Sequence, residues 1–185
     1  MKSNIKILVT GVSSQVGSAL CARALSAGVS VVWFDDSILN SLQLESIKAA
    51  IVSFKPSYVV NTASYSVVDL AQDNAQKSYV SNHDVAMVLA QACHELALPL
   101  LHLSTDYVFD GEQKVPYKED SFAAPVNRFG VAKLAAEQTI RQYCPHHIIL
   151  RVGWIFSAQG NNFVLRTLKQ LQEHHQVKAV SDQYG

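Results

Sequence analysis

The run Gly11-Val12-Ser13-Ser14-Gln15-Val16-Gly17 has the residue types and spacing to hold a pyrophosphate. It lies between a continuous apolar stretch, Ile5 to Thr10, and a helical run, Ser18 to Ala27, in which Val16, Leu20, Ala24 and Ala27 recur at helical spacing. Gly11 permits a tight bend out of a strand, and Gly17 lets a helix pack close to a sheet. The free N–H groups at the helix start, around Ser13, Ser14, Gln15 and Val16, are donors for phosphate oxygens. The middle position of the GxxGxxG pattern is Ser14, whose Cβ crowds the phosphate approach while its hydroxyl offers a donor. Gly28 reads as a helix C-cap. A second apolar strand, Val29 to Phe34, ends in Asp35-Asp36. An acid there can bond the adenosine ribose hydroxyls and would repel a 2′-phosphate, and no Arg or Lys follows closely. NAD is therefore preferred over NADP. Strand, glycine turn, helix, strand and acid is the order of a dinucleotide-binding βαβ unit. A plain strand-to-helix turn and a solvated acidic turn are the simpler alternatives.

A second cluster starts at Ser104-Thr105-Asp106. Pro99 to Leu103 reads as a buried strand, and the chain then turns abruptly to small, hydroxylated and acidic residues. That places polar groups at the carboxyl edge of a sheet, where open α/β folds bind ligands. Val108 and Phe109 are apolar enough to pin the following loop to the core. Because Ser, Thr and Asp favour turns, a capped turn alone accounts equally well for this segment. Phe129 and Lys133 are four apart in a helix running to about Gln142, so they share one face. Thr62-Ala63-Ser64-Tyr65 follows a short strand, Tyr58 to Asn61, and its small residues would let backbone lie against a cofactor. Asn82, near the start of a long helical region that begins at Val67-Val68-Asp69 and runs to Leu98, fits a cap or polar-face role as well as a functional one.

These residues need a scaffold, and the alternation of elements supplies one. Helices are expected over Leu42 to Phe54 and Phe163 to His174, the latter capped by Gly160-Asn161-Asn162. Further strands are expected at His147 to Val152 and Val177 to Val180. Six strands alternating with helices predict an α/β fold, a doubly wound parallel sheet with helices on both faces, in one dinucleotide-binding domain spanning residues 1–185. The 185 residues are enough for a real core; 49% are hydrophobic and the formal net charge is zero. That charge gives no footprint for nucleic acid or an anionic membrane, and no apolar run has the roughly 20 residues of a span. Met1 leads almost directly into a strand with no signal-peptide pattern, and Cys21, Cys93 and Cys144 form no CxxC, which together suggest the cytoplasm. The adjacent pairs His146-His147 and His174-His175 point in different directions on any regular element, so no metal site is expected.

Taken together, the segments resemble the extended short-chain dehydrogenase/reductase family, in its dTDP-4-dehydrorhamnose reductase branch. The resemblance covers nearly the whole chain. It is carried by Gly11 to Gly17, Val60-Asn61-Thr62-Ala63-Ser64-Tyr65 with Val68-Asp69, and most specifically by Ser104-Thr105-Asp106-Tyr107-Val108-Phe109-Asp110-Gly111. Phe129-Gly130-Val131-Ala132-Lys133-Leu134 with Glu137, Leu150-Arg151 with Trp154, and Gly160-Asn161-Asn162-Phe163-Val164 complete it. The resemblance implies reduction of a 4-keto group on a nucleotide-linked deoxysugar by NAD or NADP, and possible homodimers. It implies that Thr105 bonds the carbonyl and that Lys133 holds the nicotinamide ribose and acidifies a neighbouring phenol. Trp154 and Asn162 would line the sugar pocket.

Three departures bear on those expectations. Phe129 stands where the family's Tyr-x-x-x-Lys has its tyrosine, so the proton donor for the developing alkoxide is missing. Asp106, or a water held by Thr105, is an inefficient substitute. Val152-Gly153 stands where the family usually has Thr-Ser. The family also continues past a motif like Asp182-Gln183-Tyr184-Gly185 into a C-terminal substrate domain of roughly 100 residues, which this sequence does not include. A reductase of doubtful activity is one reading. The other is a non-catalytic nicotinamide-binding or regulatory module, as the regulatory subunit of methionine adenosyltransferase in the same branch exemplifies.

Overall fold

The computed structural model describes residues 5–65, 74–178, 180 and 181. Five parallel strands form one sheet: β1 (Lys6–Thr10), β2 (Ser30–Val32), β3 (Tyr58–Asn61), β4 (Leu100–Thr105) and β5 (His147–Val152). Their order is β2-β1-β3-β4-β5. The chain steps one way from β1 to β2 and the other way from β1 to β3, so the sheet is doubly wound and a crevice opens at the carboxyl ends of β1 and β3. The fold is Rossmann-like, as the alternation of elements predicts. Pairing in register puts Thr10 beside Asn61, Asn61 beside His102, and Thr105 beside Val152. That register brings the polar ends of β1, β3 and β4 to one rim.

The helices are α1 (Gln15–Ser26), α2 (Asp36–Asn40), α3 (Leu44–Phe54), α4 (Ala75–Tyr79), α5 (Val85–Glu95), α6 (Arg128–Tyr143) and α7 (Phe163–His174), with a π turn at Val80–Asp84 joining α4 to α5. Leu8, Val59 and Leu100 of the sheet are buried with Ile47 and Ile51 of α3, Leu89 of α5 and Ile140 of α6 in one core. Side chains of this size stabilise by about 1.5–3 kcal/mol each when fully buried. By contrast, α7 buries no residue; Phe163, Val164, Leu168 and Leu171 are all exposed. No helix among the described residues is long and apolar enough to cross a membrane.

Three sequence expectations are corrected. Val177, Lys178 and Val180 are not part of the sheet, and Val180 is exposed, so that short apolar run lacks the burial that would hold it as a sixth strand. The helix expected over Leu42 to Phe54 starts at Leu44, because Leu42 takes a left-handed conformation (φ 55°) that no α-helix accepts, and α2 precedes it. Helix α1 begins at Gln15, three residues earlier than expected, because Ser14 caps it. Val67-Val68-Asp69 lie outside the described residues.

Candidate functional site

The glycine turn is locked to the end of β3 by hydroxyl groups. Ser14 Oγ accepts from the Gly17 N–H at 3.0 Å and lies 3.1 Å from Thr62 Oγ1. Thr62 Oγ1 donates to the Thr10 and Gly11 carbonyls at 2.7 and 3.0 Å. Its lone pair is then free to accept the Ser14 hydrogen, so the Ser14 hydroxyl serves the turn rather than pointing outward as a phosphate donor. Gly11 has φ 69° and no room for a side chain, since a Cβ would fall 2.5 Å from the Ala63 backbone. A Cβ on Gly17 would collide with the Gly11 carbonyl and lie 2.7 Å from Thr62 Oγ1. Gly17→Ala is expected to lower stability by about 1–3 kcal/mol, read as the urea midpoint. An unchanged midpoint would mean the turn yields easily.

Above this turn lies a cleft of about 940 Å³. Gly11, Ser13, Ser14, Gln15 and Val16 line one end, with Asp36 beside them. Thr62, Ala63, Ser64 and Tyr65 line one side. Ser104, Thr105, Asp106, Tyr107, Phe129 and Lys133 line a further part, and Trp154 and Asn162 also border the cleft. Two expected residues are elsewhere. Gly17 lies beneath the turn, and Asp35 is absent from the lining because it caps α2, its Oδ1 accepting from the Ser37 N–H at 2.8 Å. Hydrogen bonds from Ser37 hold the Asp35 carboxyl below its ordinary value.

Each wall is positioned by local chemistry. Thr105 caps a 3₁₀ turn (Asp106–Val108); its hydroxyl donates to Asp106 Oδ1 at 2.9 Å and accepts from the Tyr107 N–H at 3.2 Å. Asn127 caps α6 by accepting from the Gly130 N–H at 2.8 Å. Gly130 lies against the Tyr107 carbonyl, too close for a Cβ, which seats the first turn of α6 beside the cleft. Phe129 is 6% exposed and meets the Tyr107 ring edge to face, with centroids 5.9 Å apart. Tyr117 is turned away, stacked on Phe109 and bonded to Asp110. Asn162 caps α7, accepting from the Leu165 N–H at 3.1 Å while its Nδ2 donates to Ser157 and Gln159 carbonyls. Trp154 is half exposed, its ring tilted against Phe163.

Lys133 is 2% exposed, and its Nζ donates to the Leu103 carbonyl at 2.5 Å and lies 3.1 Å from His102 Nε2. Burial pulls its pKa down to about 8, against the opposing pull of the Glu137 charge. One turn further along α6, Glu137 is fully buried; it accepts from Ser104 Oγ at 2.5 Å, from two nitrogens of Arg151 at 2.7 and 2.8 Å, and from Arg141 at 3.0 Å. Ser104 is therefore a link from the sheet rim to this ion cluster.

His102 and Asn82 are functional candidates that reasoning from sequence missed or left open. A lone histidine in the apolar run Pro99 to Leu103 was the available signal for the first. Asn82, buried in the π turn, accepts from Ser64 Oγ and the Tyr65 N–H and donates to the Tyr65 carbonyl, fastening one wall of the cleft.

A doubly wound sheet with a glycine turn at its switch point and a polar cleft over its carboxyl edge defines an α/β protein of the Rossmann-like class. Its family follows from sequence comparison. The family described as RmlD substrate binding domain matches residues 5–185, and the chain belongs to that family. The chain is 33% identical over 181 residues to a dTDP-4-dehydrorhamnose reductase of Sinorhizobium fredii, covering 98% of this chain and 61% of the relative. A Burkholderia thailandensis enzyme of the same name is 36% identical over 181 residues, at 98% and 60% coverage. The crystal structure of a Clostridium acetobutylicum dTDP-4-dehydrorhamnose reductase superposes with a TM-score of 0.90 at 30% identity, covering 97% of this chain and 64% of that one. The Bacillus anthracis reductase in complex with NADP superposes at 0.87 with 27% identity, at 94% and 62% coverage. The chain thus spans about three-fifths of the length of the curated relatives it matches.

Proposed function

We propose that residues 1–185 form the cofactor-binding part of an NAD(P)-dependent reductase for a 4-keto nucleotide-linked sugar, in which Phe129 leaves proton donation deficient. The observation that carries this reading is the cleft itself, with a glycine cradle at one end and Thr105 and Lys133 at the other. Two features fit a dinucleotide. Gly11 and Gly17 admit no Cβ, which lets the turn close tightly against Thr62 and Ala63 at the end of the cleft. Gln15 Nε2 is a buried donor with no partner among the described residues, at the helix start where phosphate oxygens would lie. The likeness to reductases, one of them holding NADP, supports the same cofactor class.

When bound, the nicotinamide supplies the hydride. Gly11, Ser13, Gln15 and Val16 would hold its diphosphate, Thr62 to Tyr65 would lie along it, and Lys133 would bond its ribose. Thr105 would orient the substrate carbonyl, and its commitment to Asp106 makes that pair a unit. With Phe129 in the tyrosine position, the alkoxide formed by hydride arrival has no phenol at that helix position to protonate it; the Tyr107 ring lies edge to face with Phe129 from the neighbouring turn. Residues 1–185 alone are therefore expected to turn over such a sugar poorly. A purely binding or regulatory module is the second reading, and Phe129 is what favours it. A cytoplasmic location and a homodimer accord with the family reading.

A calorimetric titration with NADH and NADPH tests the proposal. Saturable binding is expected, with NADH the tighter because the ionised Asp35 near the cradle opposes a 2′-phosphate. Tighter NADPH would remove that role from Asp35. No binding of either up to millimolar concentration would leave the enzyme reading without its cofactor.

A further inference from the structure

The donors and acceptors in the floor of the cleft fix the state of Lys133. One atom sets the sequence: the Ala63 backbone N–H can only donate, and it meets Asn61 Oδ1 at 3.1 Å. Thr10 Oγ1 donates to the same oxygen at 2.8 Å. The amide nitrogen of Asn61 is thereby the atom 3.0 Å from His102 Nδ1, and an amide nitrogen donates. Nδ1 must offer its lone pair. A neutral imidazole with a bare Nδ1 carries its hydrogen on Nε2. A doubly protonated ring would set N–H against N–H, and with the ring 1% exposed, burial opposes its charge. The Nε2 hydrogen then points at Lys133 Nζ, 3.1 Å away. An ammonium has three donors and no lone pair, so it cannot accept that bond, whereas a neutral amine can. One amine hydrogen goes to the Leu103 carbonyl and one is left for the cleft.

We propose that His102 is a positioning residue that favours the uncharged amine of Lys133, its lone pair turned into the sheet, so that in this state Lys133 meets a ligand with one N–H and no positive charge. The surroundings agree. The phenyl ring of Phe129, one turn away, has no ionisable oxygen to demand a cation. The Glu137 charge on the same helix is matched by Arg151 and Arg141. Asp106 in the 3₁₀ turn is bonded to Thr105. On the other elements against α6, His83 and Asp84 bond each other and His83 reaches Thr139, Lys77 lies over the Tyr65 ring, Glu95 pairs with Lys48, and His147 bonds the Cys144 carbonyl. Protonating Lys133 therefore requires the whole chain to reverse: His102 must move its hydrogen to Nδ1, and the Asn61 amide must turn its nitrogen against the Ala63 N–H.

The inference rests on the cofactor reading only for the identity of the ligand, and its test needs no turnover. In protein labelled with ¹⁵N at lysine and histidine side chains, NMR is followed through the range between the ordinary histidine and lysine pKa values. Lys133 Nζ should appear as a neutral amine at about pH 9, where solvent lysines are still ammonium, and His102 should carry its proton on Nε2. Asn61→Asp reverses the polarity, because the introduced carboxylate accepts from both Ala63 N–H and His102 Nδ1–H. In that variant the His102 tautomer should switch and Lys133 should titrate more than tenfold higher in proton affinity. The proposal is overturned if Lys133 titrates with the solvent lysines in the unaltered protein, or if His102 is protonated on Nδ1 there. It is also overturned if a folded Asn61→Asp variant keeps the original tautomer. The unaltered protein decides the matter alone if that variant does not fold. Saturable cofactor binding alongside any of these failures would leave the proposed function standing.

Discussion

Phe129→Tyr raises the rate of 4-keto reduction by about 10²–10⁴-fold, the usual worth of a positioned general acid. The measurement is single-turnover oxidation of bound NAD(P)H with a nucleotide-linked 4-keto sugar, in the natural protein that contains these 185 residues. The ring already stands in the right place: buried at the first turn of α6, one turn from Lys133 and edge-on to Tyr107. Only the hydroxyl is missing. Cofactor affinity should change little, because a proton donor acts on the chemical step. The pH profile should then acquire a limb from the new phenol. If the rate stays flat while the cofactor still binds, absence of the acid is not the main defect, and the binding-module reading gains.

Glu137→Gln should destabilise the fold by about 3–5 kcal/mol, as removal of one partner from a buried ion pair does. Glu137 is the shared acceptor for Ser104 of β4, Arg151 of β5 and Arg141 of its own helix. Without its charge, a mostly buried guanidinium keeps its desolvation penalty and loses its counterion. Burial pushes the Glu137 carboxyl up, but the hydrogen bonds and charges of Arg151, Ser104 and Arg141 outweigh it, and the net pKa lies below the ordinary value. The folded state therefore favours the ionised form. That stability is complete above the unfolded value of about 4.3 and is lost as pH falls through the lower folded value. Chemical denaturation at neutral and acidic pH checks both points. The midpoint of the variant should lie well below that of the unaltered protein at neutral pH, and the gap should narrow in acid. Equal midpoints at neutral pH would mean that the cluster contributes nothing to stability.

The fold was largely legible because its signals are local and repeated. Ile5 to Thr10 followed by glycines and a helical stripe can be read without any partner, and the same holds for Pro99 to Leu103 before Ser104. The expected sixth strand failed for a nonlocal reason: Val177 and Val180 are β-formers, but strand formation depends on a neighbour to pair with. The site was legible as a list of residues more than as a set of roles. Ser14 and Asp35 were assigned outward-facing tasks, yet both side chains close backbone caps, because hydrogen bonds to an adjacent N–H compete with those to a ligand. Asn162 shows the same division, lining the cleft while capping α7. His102 escaped notice because its partners, Asn61 and Lys133, are 41 and 31 residues away in sequence. Only the strand register brings them together.

Helix α7, which buries none of its side chains, sets a different property of the molecule: where it opens first. Local unfolding free energy follows tertiary support, and a helix of 12 residues has little stability of its own in water. Its amides should exchange with solvent far faster than those of β1 or β4. The Asn162 cap and the Trp154–Phe163 contact share that fate, since both depend on the first turn of α7. The wall of the cleft that α7 contributes is thus its softest part, and the polar floor beneath remains ordered when that wall frays.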